Sequence, residues 1–233
     1  MPDLENPDLS IIILNYNVKD LLLNCLESIF KNKSSKDKWQ IIVVDNASSD
    51  GSVEAVKEKY PEVELVVNKE NLGFAAGNNA AIPKVKAPVV LFLNPDTVAI
   101  NDVIQKSLKF LLSDPDIGAL TCRVELPDGK LDYSCHRGFP TPWNSFAYFG
   151  GLAKMFPHSP LFAGYTATYL DISKTHEMEC GSGTFLMVRK IAGDQIGWWD
   201  KDYFWNGEDI EFCFDLKERD WKIYFYPEVK IIP

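Results

Sequence analysis

The distribution of apolar and polar residues divides the first half of the chain into alternating strands and helices. Short continuous apolar runs, typical of strands covered on both faces, occur at 9–14, 39–45, 63–67 and 88–93. Helical spacing follows the first run at 20–31, where Leu22, Cys25, Leu26 and Ile29 share one face. The alternation predicts an α/β fold with an open, mostly parallel sheet flanked by helices.

The second half of the chain is less regular. Its pattern predicts a helix at 102–112, a strand at 117–124 and a hairpin around 127–129. Residues 136–176 combine many aromatics and prolines without a period, and we interpret them as a long loop or lid. Order returns at 180–190, followed by a helix at about 208–219 and a strand at 221–227. We predict one domain over 1–233, with halves at about 8–115 and 116–233.

Composition narrows the class of protein. The chain is 46% hydrophobic and 24% charged, so it can bury a sizeable core. Its net charge of −9 argues against nucleic acid as the main partner. Five cysteines without a CxxC pair indicate reduced, buried thiols and a cytoplasmic protein. The acidic N-terminus is unlike a signal peptide, and the apolar runs are too short to span a bilayer, which leaves peripheral membrane contact open.

Polar clusters follow the four strands predicted in the first half. They are Asn15-Tyr16, Asp45, the loop 71–74, and Asn94-Pro95-Asp96. Because the carboxyl ends of parallel strands meet at one edge, where ligands bind, we expect Asp45 and Asp96 to share a cleft. Neither a P-loop nor a GxGxxG fingerprint is present. Two carboxylates at strand ends instead suggest a divalent cation that holds a diphosphate through oxygen ligands.

Each of these clusters also has a purely structural interpretation. Asp45 could form an Asx turn, and the residues after Asn71 could be an ordinary loop into a helix. In the second half, Asn206 is a candidate N-cap that would place Asp209 at the third helical position. Glu208 and Asp209 would then be first-turn acids favoured by the helix dipole. Alternatively, one of them is a general base aimed into the cleft.

The succession of motifs resembles a known family. The chain is similar to family-2 glycosyltransferases of the GT-A fold, the nucleotide-diphospho-sugar transferase fold, and most of all to their bacterial rhamnosyltransferase-like branch. The resemblance covers nearly the whole chain in the expected order. The segments that carry it are "SIIILNYN", "IIVVDNASSDGS", "NKENLGFAAGNNAAI", "VVLFLNPDT", "CGSGTFLMVRK" and "WNGEDIEFCFDLKERDWKIYFYP".

The resemblance implies a metal-dependent inverting hexosyltransferase. Such an enzyme moves a sugar, with rhamnose the first candidate, from a nucleotide diphosphate to a saccharide or lipid-linked acceptor in surface polysaccharide synthesis. The first half would bind the nucleotide and the second half the acceptor. The cofactor would be Mg²⁺ or Mn²⁺, and the enzyme would work in the cytoplasm, at the inner face of the plasma membrane if its acceptor is lipid-linked.

The resemblance also assigns roles to individual residues. Asp96 would bind the metal, and Asp209, with Glu208 beside it, would be the catalytic base. The remaining nucleotide and donor positions are Asn15, Tyr16, Asp45, Asn71, Gly73, Phe74, Asn78 and Asn94. The acceptor side would include Gly181, Ser182 and Gly183, with Trp205 as an aromatic platform for a sugar and Trp198 and Trp199 as further candidates.

Two departures from the family pattern keep an alternative open. Asn94 stands where the family's DxD motif usually has its first acid. Many relatives carry a metal-binding histidine and further helices beyond the last strand, so we expect the sequence to stop short of the family's full length. A non-catalytic nucleotide-sugar binding module is therefore the main alternative, and a nucleotidyltransferase is a weaker one.

Overall fold

The computed structural model describes residues 6–204 and 206–232. Within these residues, nine strands form one sheet with helices packed against it. The strands are β1 (Leu9–Asn15), β2 (Trp39–Asp45), β3 (Glu64–Val67), β4 (Val89–Leu93), β5 (Val98–Ala99), β6 (Ile117–Val124), β7 (His176–Met178), β8 (Phe185–Arg189) and β9 (Lys222–Ile232). The helices are α1 (Lys19–Asn32), α2 (Ser52–Lys59), α3 (Gly73–Asn79), α4 (Val103–Leu112), α5 (Pro142–Phe149), α6 (Leu152–Met155), α7 (Lys190–Ile196) and α8 (Glu208–Glu218).

The strand order is β3-β2-β1-β4-β8-β6-β9-β5, and β7 pairs with β9. The four strands predicted from the first half pair in parallel, with Asn15 of β1 in register with Asp45 of β2. Beyond β4 the sheet is mixed: β8 is antiparallel to both β4 and β6, whereas β6 and β9 are parallel. The parallel part therefore brings the predicted polar clusters to one edge, as the α/β pattern implies.

Burial explains why the strand signals were readable in the sequence. β2 and β4 are buried along their whole length, and β1 is buried at all but one position, so their residues are almost uniformly apolar. β3 lies at the sheet edge, and its residues are half-buried or exposed. All five cysteines are buried free thiols, as predicted.

An aromatic cluster packs β4 against α8 and the segment after α7. Phe92 of β4 packs edge-to-face against Trp198, Trp199 and Phe212, with ring centroids 5.9, 5.0 and 6.4 Å away. Both tryptophans are buried, so the prediction that they form an acceptor platform is wrong. They belong to the core, where truncating one to alanine typically costs about 3–5 kcal/mol.

Two local predictions in the second half also fail. Residues 136–176 are not simply a loop, because α5 begins at Pro142 behind Thr141, whose side chain accepts a hydrogen bond from the Asn144 N–H. Helix α8 is not capped by Asn206: Gly207, at φ +95°, is the N-cap residue, and Asn206 is itself left-handed at φ +66°. Asp209 is therefore the second residue of α8, and both acids stand in its first turn.

Candidate active site

At the carboxyl ends of β1 and β2, Asn15 and Asp45 are joined to each other. Asn15 Nδ2 donates to Asp45 Oδ1 at 2.8 Å and to Ser48 Oγ at 3.1 Å, and the Ser48 N–H donates to Asp45 Oδ2 at 2.8 Å. Both Asn15 and Asp45 are fully buried, whereas Tyr16 is 48% exposed. Asp45 therefore fixes the loop that presents Tyr16, and Tyr16 is the side chain that a ligand can reach here.

The loops after β2 and β3 are tied together by amide side chains. Asn71 Oδ1 accepts from the Gly73 N–H at 2.9 Å and from Asn46 Nδ2 at 3.1 Å, and Asn46 Nδ2 also donates to the Gly73 carbonyl at 3.0 Å. Asn46 was not among the predicted site residues. Asn78 is buried and donates to the Phe74 carbonyl at 3.0 Å, so it braces helix α3 from within.

Gly73 connects this loop to the segment that leads into α8. The Phe74 N–H donates to the Phe204 carbonyl at 3.1 Å. Gly73 has φ +77°, and a Cβ placed on it would lie 2.6 Å from that same carbonyl oxygen. Only glycine combines this backbone conformation with so close an approach. The contact holds the 71–74 loop against the backbone at Phe204.

Replacing Gly73 with alanine is expected to destabilise the protein more than the same change at Gly129. Gly129 has φ +80°, nearly the same conformation, but no atom lies within 4 Å of a Cβ placed there. Both variants carry the strain of a left-handed alanine, and Gly73→Ala adds a clash worth about 1–3 kcal/mol. Urea unfolding of the two variants measures the difference; equal losses would show that the Phe204 segment moves away freely.

At the end of β4, the chain turns at Asn94 before reaching Asp96. The Asn94 carbonyl accepts from the Thr97 hydroxyl at 2.7 Å, and the Asn94 N–H donates to the Thr184 carbonyl at 3.1 Å. Asp96 is exposed to solvent, but protein atoms crowd around its carboxyl, and this desolvation raises its pKa. Asp96 is thus an accessible acid that closely follows Asn94, the residue that bonds to the segment 181–184.

The segment 181–184 forms the floor between β4 and α8. A Cβ on Gly183 would lie 2.8 Å from Cζ of Phe74, and one on Gly181 would lie 3.3 Å from the Thr121 side chain. Ser182 is buried, and its hydroxyl lies 3.0 Å from that of Thr184. Gly181, Ser182 and Gly183 are therefore buried beneath the site, and packing accounts for their small side chains.

Asp209 is held by an arginine that the sequence analysis did not select. Arg137 Nη2 donates to Asp209 Oδ2 in a salt bridge in which the two side chains are only 19% and 14% exposed. The backbone of Arg137 forms an antiparallel bridge with Cys180, so the arginine is anchored beside the floor segment. Cys180 Sγ lies 3.8 Å from the Asp209 carbonyl oxygen, so Cys180 contacts both members of the salt bridge.

Burial and this salt bridge act on Asp209 in opposite directions. Desolvation raises the pKa of Asp209, whereas Arg137 and the backbone N–H groups of Ile210 and Gly183 lower it. Desolvation also raises the pKa of Glu208, and the neighbouring negative charge of Asp209 adds to the effect. Arg137 thus keeps Asp209 closer to the ionised state than burial alone would allow.

Three buried polar atoms of the site have no hydrogen-bond partner within the described residues. They are Asn15 Oδ1, Arg137 Nε and Glu208 Oε2. Five further buried polar atoms of the described residues also lack a partner, so these three show groups that a ligand could pair rather than mark the site by themselves. These three atoms lie on β1, beside Cys180 and on α8, around the region that holds Asp96 and Asp209.

The site thus brings together residues that are distant in the sequence. Asn94 contacts Thr184, Gly183 packs on Phe74, and Asp209 lies against both Gly183 and Arg137, so the segment 181–184 links the end of β4 to the start of α8. Trp205 lies outside the described residues. Arg137 was missed because it stands in the segment without periodicity; its rarity, as one of four arginines, was the available signal.

Comparison with known proteins decides the family. The family model described as glycosyl transferase family 2 matches residues 10–173, more than half of the chain. The chain belongs to glycosyltransferase family 2. The predicted resemblance is therefore confirmed, and the match includes the polar ends of β1, β2, β3 and β4 described above.

A curated relative supports the rhamnosyltransferase-like branch. The N-acetylglucosaminyl-diphospho-decaprenol L-rhamnosyltransferase of Mycobacterium tuberculosis is 27% identical over 205 residues, which are 82% of this chain and 65% of that protein. This family-2 chain thus spans less than two thirds of the length of that relative.

Solved structures confirm the GT-A fold. The mannosyltransferase PcManGT from Pyrobaculum calidifontis, in complex with GDP-Man and Mn²⁺, superposes with a TM-score of 0.68 at 19% identity, covering 100% of this chain and 59% of that one. GalNAc-T7, with UDP, GalNAc and Mn²⁺, gives 0.72 at 14% identity, covering 97% and 43%. At these identities the likeness establishes the fold.

Within the described residues, no helix combines the length and apolarity that crossing a bilayer requires.

Proposed function

We propose that this family-2 glycosyltransferase transfers a sugar with inversion from a nucleotide diphosphate to a hydroxyl of a saccharide or lipid-linked acceptor. The observation that supports the proposal is the segment 181–184, which bonds to Asn94 through Thr184 at its β4 side and to Asp209 through Gly183 at its α8 side. Single displacement needs groups of two kinds on opposite faces of the sugar: one for the leaving diphosphate and one for the attacking hydroxyl.

Asp209 is the proposed base. The acceptor oxygen attacks the anomeric carbon and forms the new bond, the bond from that carbon to the diphosphate breaks with its electron pair, and the acceptor proton passes to Asp209. A desolvated carboxylate with a raised pKa is a better proton acceptor than one in water, provided that it stays ionised. Arg137 supplies that condition and orients the carboxylate, so it is a positioning residue.

Asp96 is the proposed contact to a divalent cation. Among the residues that the structure describes, no group of three or more His, Cys, Asp or Glu side chains could hold a metal by itself. An accessible single carboxylate suits Mg²⁺ or Mn²⁺ that takes its other ligands from the diphosphate, from water and from the Asn94 side-chain oxygen. When bound, such a cation neutralises the charge that develops on the leaving diphosphate.

The relatives, rather than the fold, suggest the identity of the donor. The Mycobacterium relative is a rhamnosyltransferase with a diphospho-decaprenol substrate, and PcManGT was solved with a nucleotide-diphosphate sugar and Mn²⁺. By analogy we propose a deoxythymidine-diphosphate rhamnose donor first and a uridine-diphosphate sugar second. Tyr16 would stack on the base, the Asn71–Phe74 loop would line the donor, and the acceptor would enter from the side of Arg137 and Asp209.

A thermal-shift experiment tests donor binding separately from turnover. A nucleotide diphosphate at 100 times its dissociation constant should raise the free energy of unfolding by about 2.7 kcal/mol. This increment should require Mn²⁺ or Mg²⁺, and Asp96→Asn should abolish the cation-dependent part. The matched control is Asp102→Asn, an exposed aspartate outside the proposed site. A cation-independent increment, equal in the Asp96 variant, would remove Asp96 as the metal contact.

Turnover then separates the enzyme from a binding module. Under the proposal, wild-type protein with Mn²⁺ hydrolyses or transfers the sugar of a donor that it stabilises. Binding of donor and cation without turnover on any acceptor would favour the non-catalytic module.

A further inference from the structure

One segment of the protein has a charge pattern opposite to that of the whole chain. Residues 133–170 contain no Asp or Glu, although the chain has 33 acidic residues and a net charge of −9. Their charged side chains are Arg137, which is paired with Asp209, and Lys154, which is exposed. The exposed part of this segment is therefore neutral to basic on an otherwise acidic protein.

The same segment exposes large apolar side chains. Phe149 is 85% exposed, Met155 69% and Phe146 61%, so these side chains add little to the core. We call the group the aromatic face, and its members are Trp143, Phe146, Phe149, Met155, Phe156 and Leu161. Exposed apolar patches of this kind mark surfaces that bind a partner or a membrane.

Contacts link four of the six members of the aromatic face, Trp143, Phe146, Phe156 and Leu161. Trp143 contacts Phe146 at a centroid distance of 5.7 Å, and Phe162 lies 6.2 Å from Trp143 and 5.2 Å from Phe156. Trp143 Nε1 also donates to the Leu161 carbonyl at 2.7 Å. Helices α5 and α6 and the turn after them thus present one surface.

The aromatic face adjoins the proposed acceptor side of the site. Tyr148 of α5 packs on Tyr165 at 5.2 Å, and the Tyr165 carbonyl accepts from the Gly138 N–H at 2.9 Å, directly after Arg137. Phe139 packs on Phe214 of α8 at 5.6 Å. The surface and the carboxylate of Asp209 are therefore connected through a short chain of packed residues.

We propose that the aromatic face docks the protein on the surface of a bilayer that contains anionic phospholipid. Trp, Tyr and Phe side chains partition favourably into the membrane interface, and basic side chains such as Lys154 approach anionic headgroups. The remainder of the chain is strongly acidic and is repelled by such headgroups, so the acid-free face is the one that can approach. A second copy that paired through its own aromatic face would offer Lys154 no acidic partner, because residues 133–170 contain no Asp or Glu.

This inference goes beyond the proposed function, because docking needs no catalysis. Only its consequence, delivery of a lipid-linked acceptor to Asp209, rests on that function. Membrane binding and donor binding are therefore measured separately.

Vesicle flotation tests the docking. The protein should float with vesicles of phosphatidylcholine and phosphatidylglycerol, bind less to phosphatidylcholine alone, and dissociate as salt increases. The double variant Phe146→Ser/Phe149→Ser should weaken binding by about 100-fold, since burial of each Phe corresponds to about tenfold or more. Lys154→Glu should reduce binding to the anionic vesicles only.

Matched controls test whether the aromatic face, rather than any exposed apolar side chain, binds the vesicles. Leu21→Ser and Leu112→Ser change apolar side chains that are 44% and 50% exposed outside the aromatic face, and they should float like the wild type. The double variant should keep its melting temperature and its donor-induced thermal shift. Unchanged flotation of the double variant, no binding to either vesicle, or a dimer in light scattering that the double variant abolishes would each overturn the proposal.

Discussion

Asp209→Asn is expected to lower kcat by about 10²- to 10⁴-fold while leaving donor affinity almost unchanged. The substitution keeps the size of the side chain and an oxygen that can accept from Arg137, but it removes the group that takes the acceptor proton. Steady-state transfer with Mn²⁺ measures kcat, and the cation-dependent thermal shift reports the donor. The loss should therefore appear in turnover alone.

The control for this prediction is Asp215→Asn, the same change on the same helix α8. It should leave kcat within a factor of about 2, since a surface substitution away from a site rarely matters. Turnover retained in Asp209→Asn would exclude Asp209 as the base, and an equal loss in Glu208→Gln alone would move that role to Glu208.

Arg137→Met is expected to produce the second-largest effect and to change the pH profile. Without Arg137, only the backbone N–H groups oppose the desolvation that raises the pKa of Asp209. The base acts when ionised, so activity is lost as pH falls through this pKa, and the acidic limb of the kcat/KM profile should move to higher pH. Misplacement of the carboxylate should also lower kcat, by about 10²-fold.

Arg137→Lys separates charge from geometry. Lysine retains the positive charge but lacks the planar fork of the guanidinium. The acidic limb should therefore stay near its wild-type position while kcat falls. If Arg137 were merely structural, Arg137→Met would cost about 3 kcal/mol of stability, as for a broken buried ion pair, without moving the limb. Glu208 faces the same carboxylate, so Glu208→Gln controls for its titration.

The sequence predicted a structural element correctly wherever the burial of that element alone set its pattern of apolar and polar residues. β1, β2 and β4 are buried on both faces, so their apolar runs were visible, and the parallel pairing of the first four strands placed the Asn15, Asp45, Asn71 and Asp96 clusters on one edge. The family resemblance added the roles of Asp96 and Asp209, which remain predictions for the experiments above.

The sequence was uninformative where a contact joins distant parts of the chain. Arg137 and Asp209 are 72 positions apart, and no local pattern relates them. The tryptophans at 198 and 199 resemble a sugar platform in the sequence, but they pack on Phe92, which lies more than a hundred positions earlier. The start of α8 was also misplaced, because Gly207 rather than Asn206 is its N-cap residue and both residues adopt left-handed backbone conformations.

By itself, then, the sequence determined the α/β class, the family and the edge of the sheet that carries the site, because strand burial and carboxyl-end loops leave a local signature in residue order. The tertiary structure alone decided that Arg137 accompanies the candidate base, that Gly181, Ser182 and Gly183 lie beneath the site, and that α5 and α6 expose an aromatic surface. Those features depend on which distant residues pack together and exclude water from one another, and no local sequence pattern specifies those contacts.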